Sequence, residues 1–341
     1  MSTETADTGA RTGLPGQPVA YVLQAGEGHA NLLLGEVGRT LAGAEETGDA
    51  LSVMTLHGPA APRPIPLHRH AAEHDVFLCV RGRIQVWFDG ESRVLTPGDL
   101  ASVPPGVLHA YQLLDHDSQF MGPLHPAGWD RFFDFVGTPY DGPAYPAVDD
   151  SPPPFAKFGA AQEKFAMCYD QEAPYAEAST GADDTLPSGF DAFVLRKGEG
   201  PRHTAFGQVA FQLLTASQSD GNLGMAVVEG TAGSAVPAHR HETTAEAIYC
   251  LDGLMRVRVD GEEHLLARGD FVNVPPQTDH AISFERAGTS YATMCAPAGL
   301  ERFHELAGTA APQRIYPPAP VAADPAGLER VAAELDVTFT G

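Results

Sequence analysis

Three histidines and one carboxylate in the first half of the chain have the spacing of a metal site. His68 and His70 form an H-x-H pair, and Asp75 follows five residues after the second histidine. His109 lies 34 residues beyond Asp75. Residues i and i+2 of a β-strand share a face, so both paired imidazoles point the same way. Such a set suits a divalent first-row transition metal and leaves coordination positions open for a substrate or dioxygen.

The same pattern recurs in the second half of the chain. The segment LHRHAAEHDVFLCVRG is matched by AHRHETTAEAIYCLDG at an offset of 171 residues, and the offset does not drift through the motif. The second set consists of His239, His241, Glu246 and His280. One H-x-H pair alone can be two histidines on a polar strand edge. Its recurrence with the carboxylate and the third histidine predicts up to one divalent metal in each half.

The repeat unit is about half of the chain, which predicts two copies of one domain rather than a solenoid. We expect a disordered tail over residues 1–17 and an N-terminal domain over residues 18–168. A polar, turn-rich linker over residues 169–189 is expected to precede a C-terminal domain over residues 190–341.

The apolar segments within each half are short and separated by turn residues. VFLCV, IQVWF and LASV alternate with pairs such as Asp89-Gly90, a strong hairpin signal. Many short strands at this spacing predict an all-β fold of two tandem barrels with a few peripheral helices. Asp324-Pro325 followed by the stripe Leu328, Val331 and Leu335 predicts a helix near the C-terminus, packed outside its barrel.

Strand alternation predicts which side chains accompany the metal ligands. Phe77 shares a face with Asp75, Tyr111 shares a face with His109, and Ile248 shares a face with Glu246. Phe77, Tyr111 and Ile248 are therefore candidate substrate-binding residues, because apolar walls suit a planar aromatic molecule. The alternative is that they are barrel core. The phenylalanine-rich run 131–135 is expected to pack between the two domains.

The composition argues against several classes of partner. The chain has 44 acidic and 21 basic residues and a net charge of −23, which repels phosphate backbones and anionic membranes. We therefore expect no nucleic-acid and no membrane partner.

The polar N-terminus and the absence of a long apolar run suggest a cytoplasmic protein. Four cysteines without a C-x-x-C pair are expected to be free thiols, and a homodimer is one assembly that the sequence allows.

The quoted motifs carry a family resemblance. PLHRHAAEHDVFLCVRG with TPGDLASVPPGVLHAY, and PAHRHETTAEAIYCLDG with ARGDFVNVPPQTDH, resemble the two motifs of the cupin superfamily. Two copies make the chain similar to a bicupin. The phrases PVAYVLQAGEG, VGTPYDGPAYP and VLRKGEG resemble the bacterial quercetin 2,3-dioxygenases, and the resemblance extends from about residue 18 to the end.

The resemblance implies two jelly-roll β-barrels, each holding its metal in the barrel mouth. It implies iron, manganese, nickel, cobalt or copper, held by the two sets of ligands given above. The implied reaction is cleavage of a flavonol-like hydroxy-enone by dioxygen with release of carbon monoxide, so a small aromatic molecule and O2 are the expected substrates. Glu246 or Asp75 would take the enol proton, with a pKa raised by an apolar pocket. The family usually has Glu where this chain has Asp75, whose side chain is one methylene shorter.

Two other interpretations remain open at this point. The first is another metal-dependent bicupin enzyme that acts on a different enol or decarboxylates or oxidises a small diacid. A diacid would favour an inward arginine, for which Arg256 and Arg258 are candidates. The second is a non-catalytic, metal-binding bicupin. Retention of seven of the eight usual ligands, with a conservative eighth, argues against a storage protein.

Overall fold

The computed structural model describes residues 13–142, 144–147, 149, 151–181 and 185–340. Within the tail predicted to be disordered, residues 1–12 lie outside the described residues. Residues 13–17 form bends, and the amide of Gly16 donates a 2.9 Å hydrogen bond to the carboxylate of Glu46. No helix in the described ranges is long and apolar enough to cross a membrane. All four cysteines are free thiols, as predicted.

The first half of the chain contains thirteen strands and three helices among its described residues. The strands are β1 Tyr21–Leu23, β2 His29–Leu33, β3 Glu36–Ala42, β4 Ser52–Gly58, β5 His68–His70, β6 His74–Arg81, β7 Ile84–Phe88, β8 Glu91–Leu95, β9 Leu100–Val103, β10 His109–Leu113, β11 Ser118–His125, β12 Thr138–Pro139 and β13 Met167–Tyr169. The helices are α1 Ala44–Thr47, α2 Asp130–Val136 and α3 Phe155–Lys164.

The second half repeats this order of elements. Its strands are β14 Phe193–Leu195, β15 Arg202–Ala205, β16 Gln208–Leu214, β17 Gly224–Gly230, β18 Ala235–Arg240, β19 Ala245–Asp252, β20 Leu254–Val259, β21 Glu262–Ala267, β22 Phe271–Val274, β23 His280–Phe284, β24 Thr289–Ala296, β25 Thr309–Ala310 and β26 Thr338–Phe339. Its helices are α4 Ala216–Ser219, α5 Phe303–Ala307, which follows a 3-10 turn at Leu300–Arg302, and α6 Pro325–Glu334.

Each half forms a barrel from one eight-stranded and one five-stranded antiparallel sheet. In the first barrel the strand orders are β12-β2-β3-β4-β11-β6-β9-β14 and β13-β5-β10-β7-β8. In the second they are β1-β22-β19-β24-β17-β16-β15-β25 and β21-β20-β23-β18-β26. The predicted all-β fold of two tandem jelly-roll barrels is confirmed.

The two halves exchange their first strands. β1 pairs with β22 of the second barrel, in the register Tyr21 opposite Asn273, and β14 pairs with β9 of the first barrel. One hydrophobic core therefore contains side chains of both halves, including Leu78 and Met294. The repeat alone did not reveal this exchange, because it shows that β1 and β14 are equivalent and not which sheet each strand joins.

Local sequence signals explain the turns and the helix that frame the barrels. Asp89 and Gly90 have φ values of 48° and 77°, as a two-residue hairpin between right-twisted strands requires. Asp260 and Gly261 repeat this turn. Helix α6 begins where the sequence predicts it, with the Asp324 side chain accepting a hydrogen bond from the amide of Ala326.

Candidate metal centres

Strand pairing brings the first three histidines together. β5 and β10 are adjacent, and His68 lies directly opposite His109. His70 follows two residues later on the same face of β5. All three side chains are buried, and their potential ligand atoms lie within 4.8 Å of one another. The second barrel has the same arrangement, in which His239 lies opposite His280 and His241 completes the group.

Backbone hydrogen bonds define the tautomer of these imidazoles. Nδ1 of His68 lies 2.9 Å from the carbonyl oxygen of Pro66, and Nδ1 of His109 lies 2.9 Å from that of Val107. Because a carbonyl only accepts, each Nδ1 carries the proton and Nε2 keeps its lone pair for a metal. His239 and His280 make the equivalent bonds, to Pro237 at 2.8 Å and to Thr278 at 3.0 Å.

The carboxylate in each set faces these lone pairs. Oδ2 of Asp75 is 3.1 Å from Nε2 of His109, and Oε2 of Glu246 is 3.1 Å from Nε2 of His280. Two acceptors at this distance repel each other unless a proton or a cation lies between them. In addition, neither ring nitrogen of His70 has a hydrogen-bond partner among the described residues, although both are buried. These donor sets therefore fit a divalent metal, which His68, His70, His109 and Asp75 would hold in the first barrel, and His239, His241, Glu246 and His280 in the second.

The electrostatics of the sets favour ionised carboxylates in both barrels, but the imidazoles differ among themselves. Burial lowers the pKa of His280, and its contact with Glu246 raises it by more, so its net pKa lies above the ordinary value. Burial by itself raises the pKa of Glu246, but the contacts with His241 and His280 lower it by a larger amount. The net pKa is therefore well below its ordinary value. His70 and His109 act in the same way on Asp75. The raised carboxylate pKa expected from the sequence is therefore wrong, because that argument counted the burial and left out the imidazoles. Burial also holds the pKa of His68 and His239 well below the ordinary value, helped by the neighbouring imidazoles.

The two carboxylates differ in their outer contacts. Oε1 of Glu246 accepts a 2.6 Å hydrogen bond from the hydroxyl of Thr293. The residue equivalent to Thr293 in the first barrel is Gly122, and Oδ1 of Asp75 has no hydrogen-bond partner among the described residues. His70 Nδ1 lies 3.5 Å from that oxygen. Asp75 therefore keeps one oxygen free for another donor, whereas both oxygens of Glu246 are engaged.

A large apolar cavity adjoins the first centre. It has about 800 Å³ of empty space, including the part that is open to solvent, and His68, His109 and Asp75 lie in its wall. The remaining wall is almost entirely apolar. Its aromatic residues are Phe77, Tyr111, Phe120, Trp129, Phe132, Phe133, Phe158 and Tyr169. A cavity of this size and lining suits a flat aromatic molecule.

The equivalent cavity in the second barrel is about half as large and more polar. It has about 410 Å³ of empty space and includes Glu246, Glu301 and His304 in its wall. The repeat shows where the difference arises. Paired positions are Met54 and Ala226, Leu56 and Val228, Gly122 and Thr293, Trp129 and Leu300, and Phe133 and His304.

The candidate substrate-binding residues have different positions. Phe77 and Tyr111 line the first cavity, whereas Ile248 is fully buried and is not part of the wall of the second. Ile248 packs with Val272 in the barrel core. Strand alternation placed it on the correct face, but alternation says nothing about depth below the cavity floor. The interpretation of Ile248 as barrel core is the one that fits the structure.

Two further sequence interpretations need correction. Phe132 and Phe133 of the phenylalanine-rich run do not pack between the domains, because α2 covers the mouth of the first barrel and directs them into its cavity. The match of Arg131-Phe132 to Arg302-Phe303 in the repeat was a usable signal for this role. Arg256 lies on the outer face of β20, where it forms ion pairs with Glu263 and Glu285.

A buried carboxyl group that sequence reasoning missed lies behind the aromatic wall. The hydroxyl of Tyr111 donates a 2.8 Å hydrogen bond to Oε2 of Glu36, and Glu36 is 7% exposed. Burial raises the pKa of Glu36 to about 7, although the bond from Tyr111 opposes the shift. The equivalent position in the second barrel is Gln208, which is neutral at every pH.

Replacing Glu36 with glutamine should stabilise the protein above neutral pH. Folded Glu36 holds its proton up to about pH 7, whereas an unfolded glutamate releases it near its ordinary value of 4.5. The wild type therefore loses stability relative to Glu36→Gln as the pH rises from about 4.5 to about 7. The difference should reach roughly 3 kcal/mol above that range. Urea unfolding of both proteins at pH 5 and pH 8 measures it, and an equal gap at the two pH values would contradict the raised pKa.

Comparison with known proteins agrees with this geometry. The family model described as Cupin domain matches the chain twice, over residues 59–118 and 226–292, which contain the two histidine groups. The chain is a bicupin in the sense that each half contains a cupin domain. Over 317 residues the bicupin is 29% identical to a quercetin 2,3-dioxygenase of Bacillus subtilis, covering 91% of this chain and 92% of that protein. It is also 34% identical over 93 residues to a quercetin 2,3-dioxygenase of Aspergillus japonicus, covering 25% and 27% of the two chains.

Solved structures show the same fold at lower identity. The bicupin aligns with an oxalate decarboxylase of Lactobacillus farciminis, solved as a formate complex, with a TM-score of 0.52 and 16% identity. The alignment covers 81% of this chain and 86% of the other. At an identity this low, the structural match shows a shared arrangement of two barrels and nothing about the reaction. The resemblance to the quercetin 2,3-dioxygenases rests on the sequence match over nine-tenths of both chains.

Proposed function

We propose that the bicupin is a metal-dependent dioxygenase that cleaves a small aromatic hydroxy-enone of the flavonol type, and that its N-terminal centre carries the reaction. The observation that carries this proposal is the apolar, aromatic cavity whose wall includes His68, His109 and Asp75. The full-length similarity to a quercetin 2,3-dioxygenase supports the same reaction class. The proposed substrates are the aromatic enol and O2.

The side chains of the first barrel divide the work among them. Bound to the three histidines, a divalent metal would supply Lewis-acid stabilisation of an enolate oxygen. Asp75 lies in the cavity wall, and its Oδ1 has no hydrogen-bond partner among the described residues, so we assign Asp75 to accept the proton of the substrate's enol hydroxyl. Phe77 and Trp129 would hold the aromatic rings and exclude water from that proton transfer.

The C-terminal centre has less room for the same substrate. Thr293 occupies Oε1 of Glu246, and the adjoining cavity has about half the empty space of the first. We propose that this centre binds a metal and supports the fold of the second barrel. The ligand sets alone favour the C-terminal centre as the catalytic one, because Glu246 matches the usual family carboxylate better than Asp75 does. The cavities favour the N-terminal centre instead, and the proposal follows them.

The diacid alternative lacks a cationic partner. Neither cavity wall contains a lysine or an arginine among the described residues, and Arg256 pairs with glutamates on the outer face. A dicarboxylate in either cavity would therefore have only the metal to offset its charge. The apolar wall suits other aromatic enols besides a flavonol, and turnover measurements distinguish among these substrates.

The test is an aerobic turnover assay with separately reloaded protein. Samples loaded with iron, manganese, nickel, cobalt or copper are mixed with quercetin, and loss of flavonol absorbance is followed together with O2 uptake and CO release. We expect one O2 consumed and one CO released per flavonol with at least one metal. Oxalate serves as the matched control substrate and should give neither formate nor CO2. Tight metal binding without flavonol turnover under any loading would overturn the assignment and leave the bicupin fold intact.

A further inference from the structure

A separate cavity lies between the two barrels, on the outer faces of their larger sheets. It has about 890 Å³ of empty space and is bounded by β3, β4, β6 and β11 of the first barrel and by β19 and the β21–β22 turn of the second. Three arginines line it: Arg39, Arg81 and Arg268. The lining contains no aspartate or glutamate among the described residues, although acidic residues outnumber basic ones 44 to 21 in the chain. The positive charge of this lining contrasts with the net charge of −23 of the whole chain.

Arg39 is the most deeply buried of these arginines. It is 7% exposed, and its guanidinium donates to the carbonyl oxygens of Gly28 at 3.3 Å and Gly142 at 2.7 Å. It has no carboxylate partner in the part of the chain that the structure describes. Burial lowers the pKa of this guanidinium, which means that its charge is incompletely compensated by the surrounding protein. An anion in the cavity would stabilise a buried cation in this position.

The other two cations converge on the same space. Burial raises the pKa of Tyr249 in the cavity wall to about 12, and the charges of Arg268 and Arg81 oppose that shift. Arg268 donates to the carbonyl oxygen of Val80 at 3.0 Å. Arg81 lies 3.0 Å from Asp117, whose other oxygen is 2.7 Å from His57. One half-exposed carboxylate beside the cavity thus serves both Arg81 and His57, which leaves Arg39 and Arg268 available for a ligand.

The internal repeat shows that the fold does not require these side chains. A related cavity lies at the equivalent surfaces on the other side of the interface, where cations and carboxylates are mixed. Its residues at the positions of Arg39, Arg81, His57 and Arg268 are Phe211, Asp252, Glu229 and Pro97. The same backbone positions therefore accept an aromatic residue, two carboxylates and a proline. The three arginines of the inter-barrel cavity therefore need an explanation other than packing.

We propose that the inter-barrel cavity binds a small dianionic oxyanion, a dicarboxylate or a phosphate, through Arg39 and Arg268, while Arg81, paired with Asp117, adds positive charge to the wall. Guanidinium groups present paired N–H donors that match carboxylate and phosphate oxygens. Thr55 and Gln119 in the same wall supply neutral hydrogen-bonding groups for the remaining oxygens. A bound anion would link Arg39 of the first barrel to Arg268 of the second, so its binding should stabilise the exchanged arrangement of the two halves. This site is independent of the proposed dioxygenase activity.

Calorimetry and thermal unfolding of the metal-loaded protein test the proposal. Succinate, phosphate and sulfate are titrated separately at constant ionic strength, with chloride as the reference anion. We expect saturable binding of succinate or of phosphate and a rise in Tm that follows occupancy. Binding of succinate alone would identify a dicarboxylate site, and binding of phosphate and sulfate would identify a phosphate site. No saturable binding of any of the three would overturn the proposal.

Variants show whether the anion occupies this cavity rather than a metal centre. Arg39→Phe copies the residue at the equivalent position of the second half and should weaken binding at least tenfold. Arg268→Gln changes an exposed side chain, should fold normally and should also weaken binding. Arg258→Gln, on the exposed face of β20, is the matched control and should leave binding unchanged. Wild-type affinity in both Arg39→Phe and Arg268→Gln would rule out this cavity.

Discussion

Replacing His68 with alanine should lower kcat/KM for flavonol cleavage by more than about a hundredfold. Loss of a residue that only hydrogen-bonds to a metal ligand already lowers metal affinity or activity by about 10–100-fold, and His68 is a proposed ligand itself. His68 belongs to the donor set beside the aromatic cavity, so its loss removes the metal at the place where we propose that the substrate binds. Steady-state kinetics and the metal content per chain of the purified variant measure the two effects together.

His239→Ala is the matched control, because the repeat places His239 at the equivalent position of the second barrel. It should also lose about one metal per chain but retain most of the turnover. A third variant, Asp75→Asn, keeps the size of the side chain and removes the proton acceptor. It should hold the metal in the first barrel while losing turnover. If His239→Ala abolishes turnover and His68→Ala does not, the C-terminal centre is the catalytic one.

Replacing Gly122 with alanine should destabilise the protein by at least about 4 kcal/mol, an effect that only severe packing or backbone conflicts produce. A Cβ atom built on Gly122 would lie 1.7 Å from the carbonyl oxygen of Val76 on the neighbouring strand. Backbone cannot move out of the way as a flexible side chain can, so β6 and β11 would have to separate. Urea unfolding monitored by circular dichroism gives the change in free energy.

Gly159→Ala is the matched control for this substitution. Gly159 lies in helix α3 and is exposed, and a Cβ atom added to it would have no described atom within 4 Å outside its own helix backbone and chain neighbours. Alanine there should be neutral or stabilise the protein by up to about 1 kcal/mol, because glycine weakens a helix interior. A Gly122→Ala protein as stable as the wild type would show that the two strands are less closely opposed than the structure has them.

The contrast between Gly122 and Thr293 also accounts for a difference between the two metal centres. In the second barrel β19 and β24 pair regularly at this point, with Ile248 opposite Thr293, and a side chain fits. Its hydroxyl then binds Glu246. In the first barrel the close approach of β6 and β11 admits only glycine, so nothing from this position reaches Asp75.

Sequence reasoning was enough to predict the two histidine groups, the internal repeat and the type of fold. H-x-H pairing, hairpin turns and helix caps depend on a few neighbouring residues, so local chemistry is enough to predict them. The sequence also singled out Phe77 and Tyr111 as candidate wall residues, because strand alternation reports the face of the strand on which a side chain lies.

Sequence reasoning could not predict the exchange of β1 and β14, the depth of Ile248 or the difference between the two cavities. Each depends on contacts between residues far apart in the chain, such as Trp129 of the first barrel mouth stacking on His70 with ring centroids 3.7 Å apart. Two nearly identical motifs therefore predict two equal centres. Packing of distant helices and strands makes the first centre open onto a large aromatic cavity and leaves the second with a small polar one.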